Sequence, residues 1–199
     1  MTDLLAPTPE GIARAAELLQ AGAVVAFPTD TVYGVGVDGA RPELLPALFE
    51  LKRRPLDRRI PMLVAGLAQA QSGGWEIEDR ARALARRFWP GALTIVLPGA
   101  AGSQAFRAPD HPVALSLIRA AGPIFATSAN ISDQPDTLGA DEVLIAFATD
   151  QDRLAAVLDG GPVPGGVAST VVDLTATPAR ILRDGPITRA QLAEVVELA

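Results

Sequence analysis

Residues 23–61 read AVVAFPTDTVYGVGVDGARPELLPALFELKRRPLDRRIP. The short apolar run Ala23–Phe27 predicts a buried strand, and Pro28 ends it. The turn PTDTVYGVG follows, rich in Thr and Gly. Leu44, Leu45, Leu48, Phe49 and Leu51 then form the core face of a helix predicted over Glu43–Leu51. Five cations lie within the eight residues 52–59. Strand, turn and cluster together suit the reception of an anionic substrate, so the rest of the chain is read against that stretch.

Upstream, Pro7–Ala21 has helical apolar spacing, with Thr8 as cap, Pro9 at the first helical position and Gly22 as the stop. Downstream, strands are predicted at Pro61–Ala65, Ala92–Leu97, Ile124–Ala126, Ala155–Leu158, Ser169–Leu174 and Ala179–Arg183. Helices are predicted at Glu76–Phe88, Pro112–Ala121, Asp141–Ala148 and Thr188–Leu198. The last carries Thr188 and Gln191 in capping-box spacing. Alternation of strands and helices gives the α/β class. The late strands stand too close together for helical crossovers, so a mixed sheet is expected.

The 199 residues are 49% apolar and 20% charged, a globular composition that fits one domain over 1–199. There is no cysteine, which excludes disulfides, thiolate zinc sites and cysteine nucleophiles. MTDLLAPTPE lacks the cationic start and apolar core of a signal peptide, and no run of about 18 apolar residues occurs. A cytoplasmic protein with no membrane contact is therefore expected. The net charge of −6 speaks against a broad nucleic-acid surface. The cations are nevertheless grouped, mainly at 52–59 and 80–87.

Several segments could carry chemistry. The PTDTVYGVG turn offers hydroxyls and backbone N–H groups to an anion, or they satisfy the turn itself. Gly34 and Gly36 do not make a dinucleotide fingerprint, because the third glycine is absent. The 52–59 cluster reads equally as a solvated helix end or a phosphate site. Thr127, Ser128, Asn130 and Ser132 follow a strand directly, where α/β sheets bind ligands. The single histidine, His111, shapes the turn before a helix; a Ser/His/Asp triad has no motif support, and a transition-metal site is not expected. Arg107, Ser169 and Arg183 add further polar groups. The sum is one polar, cationic site assembled from several strand ends.

FPTDTVYGVGVDG, LKRRPLDRRIP, FWPGALTIVLP, RAPDHPVAL, ATSANIS, DGGPVPGGVASTVVDL and ILRDGPI follow one another in this chain. In that order they closely resemble the motifs of the threonylcarbamoyl-AMP synthases, the YrdC-like family, from about Thr8 to Arg189. The chain resembles the short form without an added C-terminal domain. The resemblance implies an α/β fold with a twisted mixed sheet flanked by helices and a cationic cavity. It also implies synthesis of threonylcarbamoyl-adenylate and pyrophosphate from L-threonine, bicarbonate (or CO2) and ATP, with Mg2+ accompanying the ATP phosphates. A threonylcarbamoyl-transferase machinery then modifies tRNA beside the anticodon, and direct tRNA contact is left open. A non-catalytic RNA-binding module and a carbamoyl-transfer domain are the rival readings.

Carried over by position, the resemblance implies Lys52 and Arg54 as the catalytic pair and Thr31, Arg107 and Ser169 as L-threonine contacts. It implies Arg54, Arg58, Ser103, Ser128, Asn130 and Arg183 as ATP contacts. Departures from the family pattern are Leu63, where longer relatives place a histidine, Asp133 after SANIS, Asp136 in place of a serine, and Ala168 in place of a glutamate.

Overall fold

The computed structural model describes residues 1–53, 59–100 and 102–199. Its first elements are β1 (Asp3–Leu5), α1 (Pro9–Gln20), β2 (Val25–Phe27), β3 (Gly34–Asp38), a 3-10 turn at Pro42–Leu44 and α2 (Leu45–Lys52). Next come β4 (Met62–Leu63), α3 (Leu67–Ser72), α4 (Asp79–Phe88), β5 (Leu93–Gly99), β6 (Gly102–Arg107) and α5 (Pro112–Ala121). The chain ends with β7 (Ile124–Ser128), α6 (Ala140–Ala146), β8 (Ala156–Leu158), β9 (Thr170–Asp173), β10 (Arg180–Arg183) and α7 (Arg189–Ala193).

Among the described residues, ten strands join one sheet in the order β1-β8-β2-β3-β7-β4-β6-β5-β9-β10. The pairs β1/β8, β2/β8, β4/β6 and β5/β9 are parallel. The pairs β2/β3, β3/β7, β4/β7, β5/β6 and β9/β10 are antiparallel. The sheet is therefore mixed, as the short strand connections require.

The central strands alternate between two cores. Val25, Phe27, Ile124, Ala126, Ala156 and Leu158 face α1 and α5. Ala26, Phe125 and Val157 face the opposite side with α2, α4 and α6. Burial on both faces is why β2 and β8 read as continuous apolar runs. Helix α1 begins where expected: the Thr8 side chain accepts from Gly11 N, and Pro9 opens the helix.

Four elements escaped the sequence reading: β1, β3, α3 and β6. β3 is the instructive one, because its glycines look like turn residues. A Cβ on Gly36 would sit 2.6 Å from Ile124 Cγ2 and 2.6 Å from Phe125 O. The glycine therefore marks close strand approach, not a bend. Gly36→Ala is expected to destabilise the fold by about 1–3 kcal/mol through overpacking, read as a lowered denaturant midpoint with unchanged slope.

The final helix is shorter than its predicted span. Its capping box between Thr188 and Gln191 is present, but α7 ends at Ala193. Beyond it, Ala179 N donates to Glu197 O and Ala199 N to Ala179 O, both at 2.9 Å. Those backbone groups are used in a parallel bridge with Ala179 and cannot continue the helix. Among the described residues, no helix is long and apolar enough to cross a membrane.

Candidate functional site

The helices α1 and α5 cover one face of the sheet only around β8, β2 and β7. Further along that face lies a cavity of about 660 Å3. Thr94 and Val96 of β5, Ser103, Ala105 and Arg107 of β6, and Val171 and Asp173 of β9 line it. Each set recurs at every second residue, the signature of one sheet face. Ala126 and Leu63 belong both to the α1/α5 core and to the cavity wall. The floor is thus the sheet itself, and loops after β2 and before β9 form the rim. Strand-end loops, where the sequence places its candidate site, thus supply the rim of this cavity, and strand faces supply its floor.

Of the residues implied by motif, Thr31, Ser103, Arg107, Ser128, Ser169 and Arg183 all line this one cavity. Arg54 and Arg58 lie outside the described residues. Lys52 and Asn130 do not line the cavity; they lie buried behind it, 1% and 6% exposed. Among the described residues, three guanidinium groups (Arg59, Arg107, Arg183) and two carboxylates (Asp136, Asp173) line the wall.

Arg107 is already engaged. Its Nη2 donates to both carboxylate oxygens of Asp30 at 2.6 Å, and its Nε donates to Gly91 O at 3.0 Å. The two side chains are 11% and 14% exposed. Asp30 stands between Thr29 and Thr31, so the ion pair also anchors the PTDT loop. The Thr29 hydroxyl donates to Val32 O at 2.6 Å, and Thr31 N donates to the Thr29 hydroxyl at 3.2 Å. Below that loop, Tyr33 donates to Gly161 O at 2.8 Å. Burial pushes its hydroxyl up to about 12, so it remains a neutral donor at physiological pH.

Across the cavity, Thr94 and Ser169 share a hydroxyl–hydroxyl bond at 2.7 Å. Arg183 Nε donates to Ser169 O at 2.9 Å, and its Nη2 donates to Ser169 Oγ at 3.1 Å. Burial, and then the nearby charge of Arg107, lower the Arg183 pKa from the usual arginine range. The two guanidinium groups thus feel one another across the site. Gly185 lets the following chain close on β9: a Cβ there would sit 2.4 Å from Thr170 N. Arg59 Nη1 donates to Ser103 Oγ at 2.8 Å and Ser103 O at 3.2 Å, orienting the β6 end of the wall.

Lys52 closes α2 and extends under the Ser128–Asn130 loop. Its ammonium donates to Asn130 O at 2.8 Å and Asn130 Oδ1 at 3.0 Å, and also to Ser128 O. Ser128 Oγ donates to Asn130 Oδ1 at 2.7 Å, and Asn130 Nδ2 donates to Gln134 O at 2.5 Å. A Lys and an Asn far apart in sequence thereby set the position of the hydroxyl that faces the cavity.

His111 precedes α5 as its N-cap but makes no side-chain cap bond. Its Nδ1 is buried without a hydrogen-bond partner among the described residues. Burial lowers its pKa, against the opposing charges of Asp30 and Asp110. The unfolded chain therefore binds the proton first. Its contribution to stability is full above about pH 6.5 and is lost as pH falls towards and through the depressed folded value. We expect the melting temperature to fall between about pH 7 and 5 more steeply in the parent than in His111→Gln. Equal slopes in the two proteins would exclude His111 as the source.

Residues the sequence reading missed include Asp30 and Thr94; Arg59 was read as one cation of the 52–59 cluster, with no individual role. Thr94 carried a usable signal, as a hydroxyl inside the otherwise apolar run ALTIVL. Among the described residues, no group of three or more His, Cys, Asp or Glu side chains could hold a metal ion.

The Sua5/YciO/YrdC family model, described as telomere recombination, matches residues 17–185. Threonylcarbamoyl-AMP synthase of Bacillus subtilis is 40% identical over 209 residues, covering 98% of this chain and 59% of that protein. Threonylcarbamoyl-AMP synthase of Vibrio campbellii is 33% identical over 180 residues, covering 84% of this chain and 95% of that protein. The structure of P. abyssi Sua5 complexed with L-threonine superposes with a TM-score of 0.89 at 34% identity, covering all of this chain and 62% of that one. The chain thus spans about three-fifths of the Bacillus and P. abyssi proteins and corresponds to nearly the whole of the Vibrio one. On this evidence the chain belongs to the Sua5/YciO/YrdC family.

Proposed function

We infer that this chain is a threonylcarbamoyl-AMP synthase, which joins L-threonine, CO2 or bicarbonate, and ATP to give threonylcarbamoyl-adenylate and pyrophosphate. The observation that carries this reading is the convergence of Thr31, Ser103, Arg107, Ser128, Ser169 and Arg183 on one cavity of about 660 Å3, a volume within the range of small-molecule sites. P. abyssi Sua5, similar over the full length of this chain, was solved with L-threonine.

The chemistry needs two anions brought together. The threonine ammonium loses a proton to solvent. The amine then adds to CO2, forming an N–C bond as one C–O π bond opens onto oxygen, and the nitrogen gives a second proton to solvent to leave the carbamate. A carbamate oxygen then attacks the α-phosphorus of ATP, and the bond from that phosphorus to the β-phosphate bridging oxygen breaks. Pyrophosphate leaves with the electron pair. No side chain forms a covalent intermediate, so the residues act by positioning and by offsetting charge. Arg107 pairs the threonine carboxylate, while Thr31 and Ser169 bond its polar groups. Arg183, Ser103 and Ser128 hold the nucleotide, with Arg54 and Arg58 assigned to the phosphates by motif alone. Lys52 and Asn130 act as positioning residues behind Ser128.

Mg2+ would travel with the triphosphate, since it keeps several waters and needs few protein carboxylates. Asp136 and Asp173 are the acidic side chains on the wall that could reach such a complex. The product would pass to a transferase that modifies tRNA.

The test is incubation with ATP, bicarbonate and each amino acid in turn, followed by mass detection of an acyl-adenylate. Threonylcarbamoyl-adenylate formed with L-threonine alone is expected, together with pyrophosphate. Salt-dependent RNA binding with no threonine-dependent pyrophosphate release would instead favour a binding module.

A further inference from the structure

The cations at 80–87 are not used by the proposed reaction. Helix α4 carries Arg80, Arg82, Arg86 and Arg87, and two of these are engaged. Arg80 donates to Leu174 O at 2.6 Å and Ala176 O at 2.7 Å, and pairs with Glu78 at 2.7 Å. Arg87 pairs with Glu194 at 2.7 Å and lies over the Phe88 ring. Arg82 and Arg86, one helical turn apart and exposed, make no hydrogen bond or ion pair through their side chains among the described residues. Both line a second cavity of about 370 Å3. Its remaining wall is apolar, chiefly Leu67, Ala85, Trp89, Pro90 and Ala108. The Trp89 indole is fixed, because its N–H donates to Leu93 O at 2.7 Å.

This cavity lies back to back with the first. Ala108 lines the second, and its neighbours Arg107 and Pro109 line the first. Pro90 lines the second, and Gly91 beside it donates its N–H to Ala108 O at 2.8 Å. Gly91 O is also the acceptor of Arg107 Nε.

We propose that the α4 cavity binds a small organic anion, a flat apolar body bearing one carboxylate or phosphate, and that its occupancy alters L-threonine binding through Gly91 and Arg107. Two guanidinium forks without acidic partners match such a group, and the Trp89–Pro90 wall takes the apolar body. A nucleic acid fits less well, since the cavity is small and the chain's net charge is −6. Only the coupling, and not the site, rests on the assignment of Arg107 to L-threonine.

The test is calorimetric titration of the full chain with phenyl phosphate and, separately, indole-3-acetate, in the presence of L-threonine and α,β-methylene-ATP. At least one anion is expected to bind saturably, and the one that binds identifies the acid group. The double variant R82Q/R86Q is expected to lose at least tenfold in that affinity, while keeping its melting temperature and basal pyrophosphate release. No binding by either anion, equal binding by parent and variant, or equally tight binding of neutral indole would each overturn the site. The coupling is read as at least a twofold change in the L-threonine Kd when phenyl phosphate or indole-3-acetate, whichever binds, is added to the parent. An unchanged Kd overturns the coupling. A parent that binds no L-threonine overturns the threonine assignment and the coupling with it, while the anion titration still decides the site.

Discussion

Arg107→Ala is expected to weaken L-threonine binding roughly 10- to 150-fold, the loss of one charge-assisted hydrogen-bonding partner worth about 1.5–3 kcal/mol. ATP affinity should change far less, because Ser103, Ser128 and Arg183 remain. The same substitution leaves Asp30 unpaired, with its side chain 14% exposed. Breaking a largely buried pair by removing one partner costs about 3–5 kcal/mol, so the variant should also melt at a lower temperature. The two effects are separable. Asp30→Ala combined with Arg107→Ala removes the stranded carboxylate and should recover much of the lost stability without recovering L-threonine binding. If the double variant binds L-threonine as the parent does, Arg107 is a structural residue and not a substrate contact. If it recovers neither property, the loss lies in the PTDT loop that Asp30 anchors.

Asp30 also shows where sequence reading stops. The bond between Asp30 and Arg107 spans 77 positions, and nothing local to either residue announces it. Strands buried on both faces were legible because their apolar runs are unbroken: β2 and β8 fall at Val25–Phe27 and Ala156–Leu158, inside their predicted spans. β3 was hidden because Gly34 and Gly36 have the composition of a turn, and only the distance to Phe125 shows why a side chain is forbidden. β6 was hidden because its alternate residues face a polar cavity, so Ser103, Ala105 and Arg107 dilute the apolar pattern. The same alternation is what makes β6 part of the site. Motif order picked out six residues that line one cavity, yet it gave no means of separating those that face the cavity from those that lie behind it. Lys52 and Asn130 look no different in sequence from Ser128. Their role depends on depth, which emerges only when α2 packs against the β7 end.

Lys52→Met is expected to lower stability by about 3–5 kcal/mol, since it leaves several buried acceptors without their charged donor. For a chain of this length that corresponds to roughly 6–20 °C in melting temperature. Lys52 is 1% exposed and its ammonium donates to Ser128 O, Asn130 O and Asn130 Oδ1, so these bonds tie it to the loop. Catalytic loss should therefore follow loop disorder. The KM for ATP should rise along with a fall in kcat, and Asn130→Ala, which removes Oδ1 from the same network, should reproduce much of both effects. A Lys that contacted the phosphates directly would behave differently. Its replacement would abolish turnover with little change in melting temperature, and Asn130→Ala would leave turnover nearly intact. Thermal melts and steady-state kinetics on the two variants distinguish these cases. The first pattern makes Lys52 the support beneath Ser128, whereas the second returns it to the reacting centre.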